Sequence, residues 1–325
     1  MKLALKMAAG LAALLMGAAQ ARAPVPLDLA GYANADGAIT ILHGGPASDP
    51  YFAMQALLLA RENGLDATAP AEKFARWLVP RQKPDGTFDR FCRVAGGGWA
   101  ACKTADADDS LLALWMKLLD TMPDTMAASP QLRKSYQVSK ASLEHLFQPS
   151  RGIYMVSPLY LHGLFMDNLE VWSLKDHLRT GDRAETARLA RAIHETFWDP
   201  AARKFLVSTQ LEQRGREPAF YPDHVAQVFP LLVGFPLLPS DASKHYNQWM
   251  RQHRALWLSQ GEADYPWGLL AVLALRQGDV SSARCWLREA GGMRHSARWA
   301  VTDEVSLQIL SARGLKAAPA GADCT

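Results

Sequence analysis

The sequence predicts an all-α protein, an (α/α)6 toroid of helical hairpins, and three observations carry that expectation. Past the N-terminal segment, apolar residues recur mostly three and four apart, the period of an amphipathic helix. Stop-and-start signals separate the periodic stretches: "ENGLDATAP" at 62–70, "RTGD" at 179–182 and "RQGDVSS" at 276–282. The stretches also alternate between two kinds, one rich in apolar residues and one rich in Arg, Lys and Glu.

The period places helices at about 49–63, 70–80, 107–121, 130–147, 162–179, 184–197, 222–235, 240–257, 265–276, 280–290 and 302–313. Longer loops fall at 82–105, 148–161 and 198–221, and "KFLVST" at 204–209 suits one strand of a small hairpin. No Pro- or Ser-rich linker divides the chain, so residues 22–325 are expected to form one domain.

Residues 1–21 read as a signal peptide. Lys2 and Lys6 precede an apolar run, and the small residues of "GAAQARA" follow it. The expected cleavage follows Ala21, because cutting after Ala23 would leave Pro24 at the first position. The run is short for a membrane span, so a periplasmic or secreted protein with no stable anchor is expected. Removal of Lys2 and Lys6 from the 35 basic residues leaves 33 against 32 acidic ones, a balance that argues against nucleic acid as partner. With 49% apolar residues, the chain can fill a sizeable core.

Four cysteines fit an oxidising compartment. Cys92 and Cys102 share one loop and suit a disulfide that closes it, while Cys285 and Cys324 suit one that pins the tail. Four cysteines permit three connectivities. There is no C-x-x-C, no H-E-x-x-H and no close His pair on one helical face, so neither metal nor cofactor is implied.

The odd-numbered helices share a feature. Each opens on an acidic residue, usually beside an aromatic one: "SDPYF" (48–52), "DADDS" (106–110), "FMDNLEVW" (165–172), "YPDHVAQ" (221–227), "EADYPWG" (262–268) and "VTDEVS" (301–306). Alternating apolar and charged helices are what a double ring requires, since inner helices touch neighbours all round and outer ones show a face to water. Six inner and five outer helices leave one outer element missing or displaced. Parallel inner helices would gather all six acidic-aromatic openings around one cleft. A single Asp at a helix start is also an ordinary cap, favoured by the helix dipole, and that reading applies to Asp49, Asp223 and Asp303 taken singly. It does not account for Asp106, Asp108 and Asp109 together, where one carboxylate suffices as cap and the others are free to face the cleft and tune one another's protonation.

Carboxylates accept hydrogen bonds from sugar hydroxyls, and aromatic rings cover the apolar faces of pyranoses. Glycoside hydrolysis needs one protonated and one ionised carboxyl group, and crowded acids help supply that difference. The candidate catalytic residues are Asp49, Asp106, Asp108 and Asp167. The candidate sugar contacts are the aromatics Tyr51, Trp99, Tyr221, Tyr265 and Trp267 and the polar Asp109, Asn168, Glu170, Asp223 and Asp264. Asp167 and Glu170 are three apart and share one helical face, and Asp223 and Gln227 form a further polar pair.

The overall pattern resembles the six-hairpin glycosidases, and two segments resemble the family-eight glycoside hydrolases more narrowly. There an inner helix opens on Ser-Glu-Gly followed by Tyr-Gly-Met, and "SDPYFAMQALLLA" at 48–60 stands in a similar place. "TADADDSLLAL" at 104–114 is similar to that family's Ala-Thr-Asp-x-Asp before a helix. The resemblance implies Asp49 as general acid, one methylene shorter than the family's Glu, and Asp106 or Asp108 as a substrate-binding or catalytic carboxylate. "LFMDNLEVW" at 164–172 resembles inner-helix Asp-Asn motifs of several six-hairpin glycosidases, where such an Asp binds sugar. The expected ligand is a polysaccharide or oligosaccharide, cleaved by a carboxylate pair.

Two alternatives stand beside this. One is a toroid that binds polysaccharide in the cell envelope without cleaving it. The other is a terpene-cyclase-like α-toroid, because Asp106-Ala107-Asp108-Asp109 matches Asp-x-Asp-Asp and "QKPDGTF" at 82–88 resembles the Gln-and-Gly turns of class II cyclases. Export argues against a polyprenyl substrate.

Overall fold

The computed structural model describes residues 24–178, 182–259 and 264–324. The signal-peptide expectation for residues 1–21 lies outside them, as does Glu262 of the fifth acidic opening. Twelve α-helices occur among the described residues: α1 Pro50–Glu62, α2 Thr68–Leu78, α3 Asp108–Asp120, α4 Pro123–Ala128, α5 Pro130–His145, α6 Phe165–His177, α7 Arg183–Phe197, α8 Val225–Val233, α9 Ala242–Ser259, α10 Gly268–Arg276, α11 Val280–Gly291 and α12 Val301–Ala312.

The inner ring closes on itself. α1 packs on α3, α3 on α6, α6 on α8, α8 on α10, α10 on α12, and α12 back on α1. Helices α2, α5, α7, α9 and α11 lie outside it, each against its inner partner. The two kinds of helix differ in burial as the alternation requires. In α3 every residue from Asp109 to Met116 is buried, whereas α5 buries only Leu132, Ser135, Ser139 and Leu143, one stripe at helical spacing. The sixth outer place is taken by the N-terminal segment. Asp28 exchanges backbone hydrogen bonds with the Gln308 side chain, and Ile41 O accepts from Val301 N, so this segment meets α12 at its start and at Gln308.

The structure adds elements that the helical period does not show. α4 is six residues long and starts on Pro123, a position where a missing N–H costs no hydrogen bond. Loop 82–105 holds two strands of a three-stranded antiparallel sheet: β1 Ala47–Ser48, β2 Asp89–Arg93 in the centre and β3 Trp99–Thr104. The segment reads as loop in the sequence because its strands are short and lack apolar alternation. The "KFLVST" strand does pair, with Lys204–Phe205 antiparallel to Trp198–Asp199. The disulfides are Cys92–Cys102, which joins β2 to β3, and Cys285–Cys324, which ties the tail to α11.

Three inner helices start later than the period suggests. α6 opens at Phe165; a kinked turn over Phe220–His224, extended at Tyr221, precedes α8; and Trp267, in the left-handed region at φ 54°, blocks α10 from starting before Gly268. Gly268 is required there because a Cβ would meet Ser306 of α12 at 2.6 Å.

Candidate functional site

The small sheet brings three charged groups together. β1 leads directly into Asp49, β3 leads to Asp106, and the central strand β2 carries Arg90 between them. Asp49 caps α1, its Oδ1 accepting from Tyr51 N at 3.0 Å, while its Oδ2 lies 2.6 Å from Arg90 Nε. The other end of the guanidinium pairs with Asp106 Oδ2. Asp49 is almost fully buried, and burial pushes its carboxyl up while Arg90 opposes that shift.

The inner-helix starts do gather around one cleft, of about 370 Å³. Asp49 and Tyr51 of α1, Asp106 before α3, Asp167 of α6, Tyr221 before α8, Asp264, Tyr265 and Trp267 before α10, and Asp303 of α12 all line it. Tyr221 stacks on Trp267 with ring centroids 5.3 Å apart, and Tyr265 meets Phe52 edge-on at 5.6 Å. The left-handed backbone at Trp267, a conformation costing about 1–3 kcal/mol for a residue with a side chain, is what sets its ring against Tyr221.

A second set of carboxylates has no guanidinium partner among the described residues, Lys117 being the cation that opposes the shift of Glu170. Asp167 is partly buried in the cleft wall, its Oδ2 makes no hydrogen bond among the described residues, and burial together with the Asp106 charge pushes it up to about 7. Beneath it Asp109 is fully buried. Only first-turn amides approach Asp109, neither oxygen makes a hydrogen bond of normal geometry, and burial with the Asp167 charge pushes it well above the usual carboxylate range. Glu170 is also buried, accepts from the Tyr51 hydroxyl at 2.8 Å, and is pushed well up by burial and by Asp167. Asp303 differs in being fully engaged. Its oxygens accept from Gly268 N at 2.7 Å and Ala300 N at 3.1 Å, tying α10 to α12, while burial moves it up to about 7.

Six expected site residues lie outside the cleft lining. Asp108 is one of them; it faces Lys83, Asp85 and Asp89, and burial pushes it up to about 6. This placement also deprives the cyclase reading of its middle aspartate. No side chain caps α3, contrary to the expectation that one of the three acids would. Asn168 is buried and braces the backbone, accepting from Tyr154 N and donating to Tyr154 O and Leu164 O. Trp99 packs edge-on against Trp77 on β3, beneath the Arg93 guanidinium. Asp223 accepts from Ala219 N, pairs with Arg216 at 2.9 Å and borders a separate groove. Asp109 and Glu170 sit below the cleft and not in its lining. Gln227, paired with Asp223 in the sequence reading, hydrogen-bonds both backbone groups of Phe205.

Arg90, the cation of the cleft lining, and Gln55 are not among the residues named from the sequence. The available signal for Arg90 was its place in the loop between two acidic helix starts.

No protein-family model matches the chain, and no curated protein is similar to it in sequence. Solved structures match it in shape, and their shared architecture is the six-hairpin glycosidase-like (α/α)6 toroid, the fold of this chain. A GH63 mannosylglycerate hydrolase from Thermus thermophilus, in complex with Tris and D-glycerate, has a TM-score of 0.56 at 12% identity, over 88% of this chain and 98% of that one. An alpha-amylase from Clostridium perfringens has a TM-score of 0.57 at 8% identity, over 86% and 92%. A cold-adapted family 8 xylanase has a TM-score of 0.53 at 9% identity, over 87% and 85%. At such identities the likeness concerns fold alone.

Proposed function

We propose that this is an exported glycosidase-like protein that binds polysaccharide or oligosaccharide chains in the toroid cleft and hydrolyses them with Asp167 as general acid. The observation that carries this reading is the pairing, in one aromatic-lined cleft, of a partly buried carboxyl raised to about 7 with a guanidinium-paired carboxylate, Asp106. Glycoside hydrolysis requires one carboxyl to donate a proton and another to accept one, and these two groups are assigned those parts. In the step proposed, Asp167 gives its proton to the glycosidic oxygen as the C–O bond breaks. Water adds to the anomeric carbon and gives its own proton to Asp106.

Asp49, which the family-eight resemblance marks as the acid, takes a supporting part instead, because one oxygen caps α1 and the other holds Arg90. Tyr51, Tyr221, Tyr265 and Trp267 supply stacking faces, and Asp264 a hydroxyl acceptor. Residues 1–21 serve as the signal peptide and 22–325 as the toroid domain; two disulfides support an oxidising destination.

The test is reducing-sugar release from a panel of β-glucans, chitosan and bacterial exopolysaccharides by the purified protein, Asp167→Asn and Asp106→Asn. Release that disappears in Asp167→Asn is expected; release that survives it sinks the assignment. The full engagement of Asp49 favours a second reading, polysaccharide binding without cleavage. Retention of a polymer with no release from any of them would establish it.

A further inference from the structure

A second cavity, larger than the cleft at about 650 Å³, lies on the outer wall between α9, the Trp198–Phe205 hairpin and the 3-10 turn Leu211–Gly215. Its lining is strongly basic. Five Lys or Arg side chains, Arg203, Lys204, Arg214, Arg216 and Lys244, face it against two carboxylates, Asp199 and Asp223. Both acids are engaged within the protein. Asp199 accepts from Ala201 N and Ala202 N in the hairpin turn, and Asp223 pairs with Arg216. Among the described residues no carboxylate pairs with Arg203, Lys204, Arg214 or Lys244. A chain whose charges nearly balance overall thus concentrates unmatched cations in one groove.

The shape is informative as well. Lys244, Gln248 and Gln252 recur every fourth residue along α9, so the groove follows that helix for about 12 Å at 1.5 Å per residue. Its far end reaches the cleft rim. The turn Phe220–His224 turns Tyr221 into the cleft and Asp223 and His224 into the groove, where the His224 ring stacks on His253 at 4.2 Å. Trp198, partly exposed, adds an aromatic surface beside the cations.

We infer that this groove binds the acidic continuation of a polysaccharide chain, the carboxylates of uronate units pairing with Arg203, Lys204, Arg214 and Lys244. The inference rests on the carbohydrate reading of the cleft and narrows its substrate class to anionic glycans. Arginine and lysine on an open wall suit ionised groups repeated along a chain, and Gln248 and Gln252 suit its hydroxyls.

Binding separates this proposal from the catalytic one. Dissociation constants would be measured by calorimetry for oligogalacturonate, inorganic polyphosphate and a neutral cello-oligosaccharide, using the wild type, Arg214→Ala/Lys244→Ala and Asp167→Asn. Both groove side chains are exposed, so an unchanged melting temperature would certify the double variant as folded. Loss of a charge-assisted contact corresponds to about tenfold, so the double variant is expected to weaken oligogalacturonate about a hundredfold. Asp167→Asn should leave that affinity within about twofold, because the groove and cleft contacts are separate. Equal uronate affinity in the double variant, or no uronate binding at all, would overturn the inference. Polyphosphate bound as tightly as uronate and weakened equally would also overturn it, by showing an anion site indifferent to sugar. If Asp167→Asn keeps full hydrolytic activity while the groove variant loses uronate, the catalytic assignment falls and the groove stands.

Discussion

The two carboxylate sets at and beneath the cleft are built from similar residue types and end in different electrostatic surroundings. On the α1–α3 side, Asp49 and Asp106 share one guanidinium, Arg90, delivered by the centre strand of the small sheet. On the α3–α6 side, Asp109, Asp167 and Glu170 crowd together with no arginine, and burial raises all three. The difference teaches that proximity of acids alone does not set their charge; the placement of one cation and the depth of burial do. Asp303 makes the same point differently, since two amide donors oppose the shift that burial imposes on it.

The largest expected effect tests the unpaired set. Asp167→Asn, which removes the transferable proton and keeps the shape, should lower kcat/KM by about 10²–10⁴-fold on any substrate the protein hydrolyses, with KM little changed. A fall in kcat/KM that comes only from a raised KM would reduce Asp167 to a sugar ligand.

Next in size is Arg90→Ala. It strands the buried Asp49 without its cation, and unfolding in urea should show a loss of roughly 3 kcal/mol. The double variant Arg90→Ala/Asp49→Asn should recover much of that loss. Failure to recover it would mean that the ion pair is not what compensates Asp49.

Opening Cys92–Cys102 loosens the hairpin that carries Arg90. With a sequence separation of 10, the loop-closure argument gives about 2–3 kcal/mol for the Cys92→Ser/Cys102→Ser variant by denaturant titration. If the Arg90 pairing depends on that hairpin, activity should fall along with stability.

The pH dependence of stability is a finer probe. Asp167 and Asp303 titrate near 7 when folded and near the ordinary aspartate value when unfolded, so the folded state holds protons that the unfolded one has released. Their contribution is complete below about pH 4 and is lost as pH rises through about 7. The melting temperature should therefore rise between about pH 8 and pH 5. Asp109→Asn, a neutral isostere for a group already held protonated, should flatten that rise and raise stability at about pH 8. An unchanged curve in the variant would show that Asp109 does not hold its proton across that range in the native protein.

The smallest effect concerns recognition. Trp267→Ala removes a stacking face and should weaken oligosaccharide binding by roughly fivefold, about 1 kcal/mol, in a titration. Trp99→Ala, outside the cleft, should leave binding unchanged and so marks the boundary between the aromatics that line the site and those that fill the core.

Periodicity was enough to find eleven of these helices, because burial on one face of a helix leaves a repeat that needs no knowledge of neighbours. The alternation of "DADDSLLALWMKLL" with "QLRKSYQVSKASLEHL" likewise separates inner from outer, since only a helix surrounded by others can bury nearly every residue. The shared cleft followed from parallel inner helices opening on acids. Short strands such as Asp89–Arg93 escaped notice because five residues with a single buried side chain have no usable period.

What no period could reveal is which way each side chain in the acidic openings turns. Asp106, Asp108 and Asp109 are neighbours in sequence, yet they end in three environments: the cleft and Arg90, the Lys83 side of the loop, and the buried space below Asp167. Asp108 and Asp109 point about 100° apart at the start of α3, and Asp106 precedes the extended cap residue Ala107, so contiguity in sequence does not keep the three together. Helical period and acidic openings suffice to specify the ring and the face on which its acids gather. Which acids meet Arg90 and which meet one another is set by packing, because that depends on a strand from a separate loop arriving between α1 and α3.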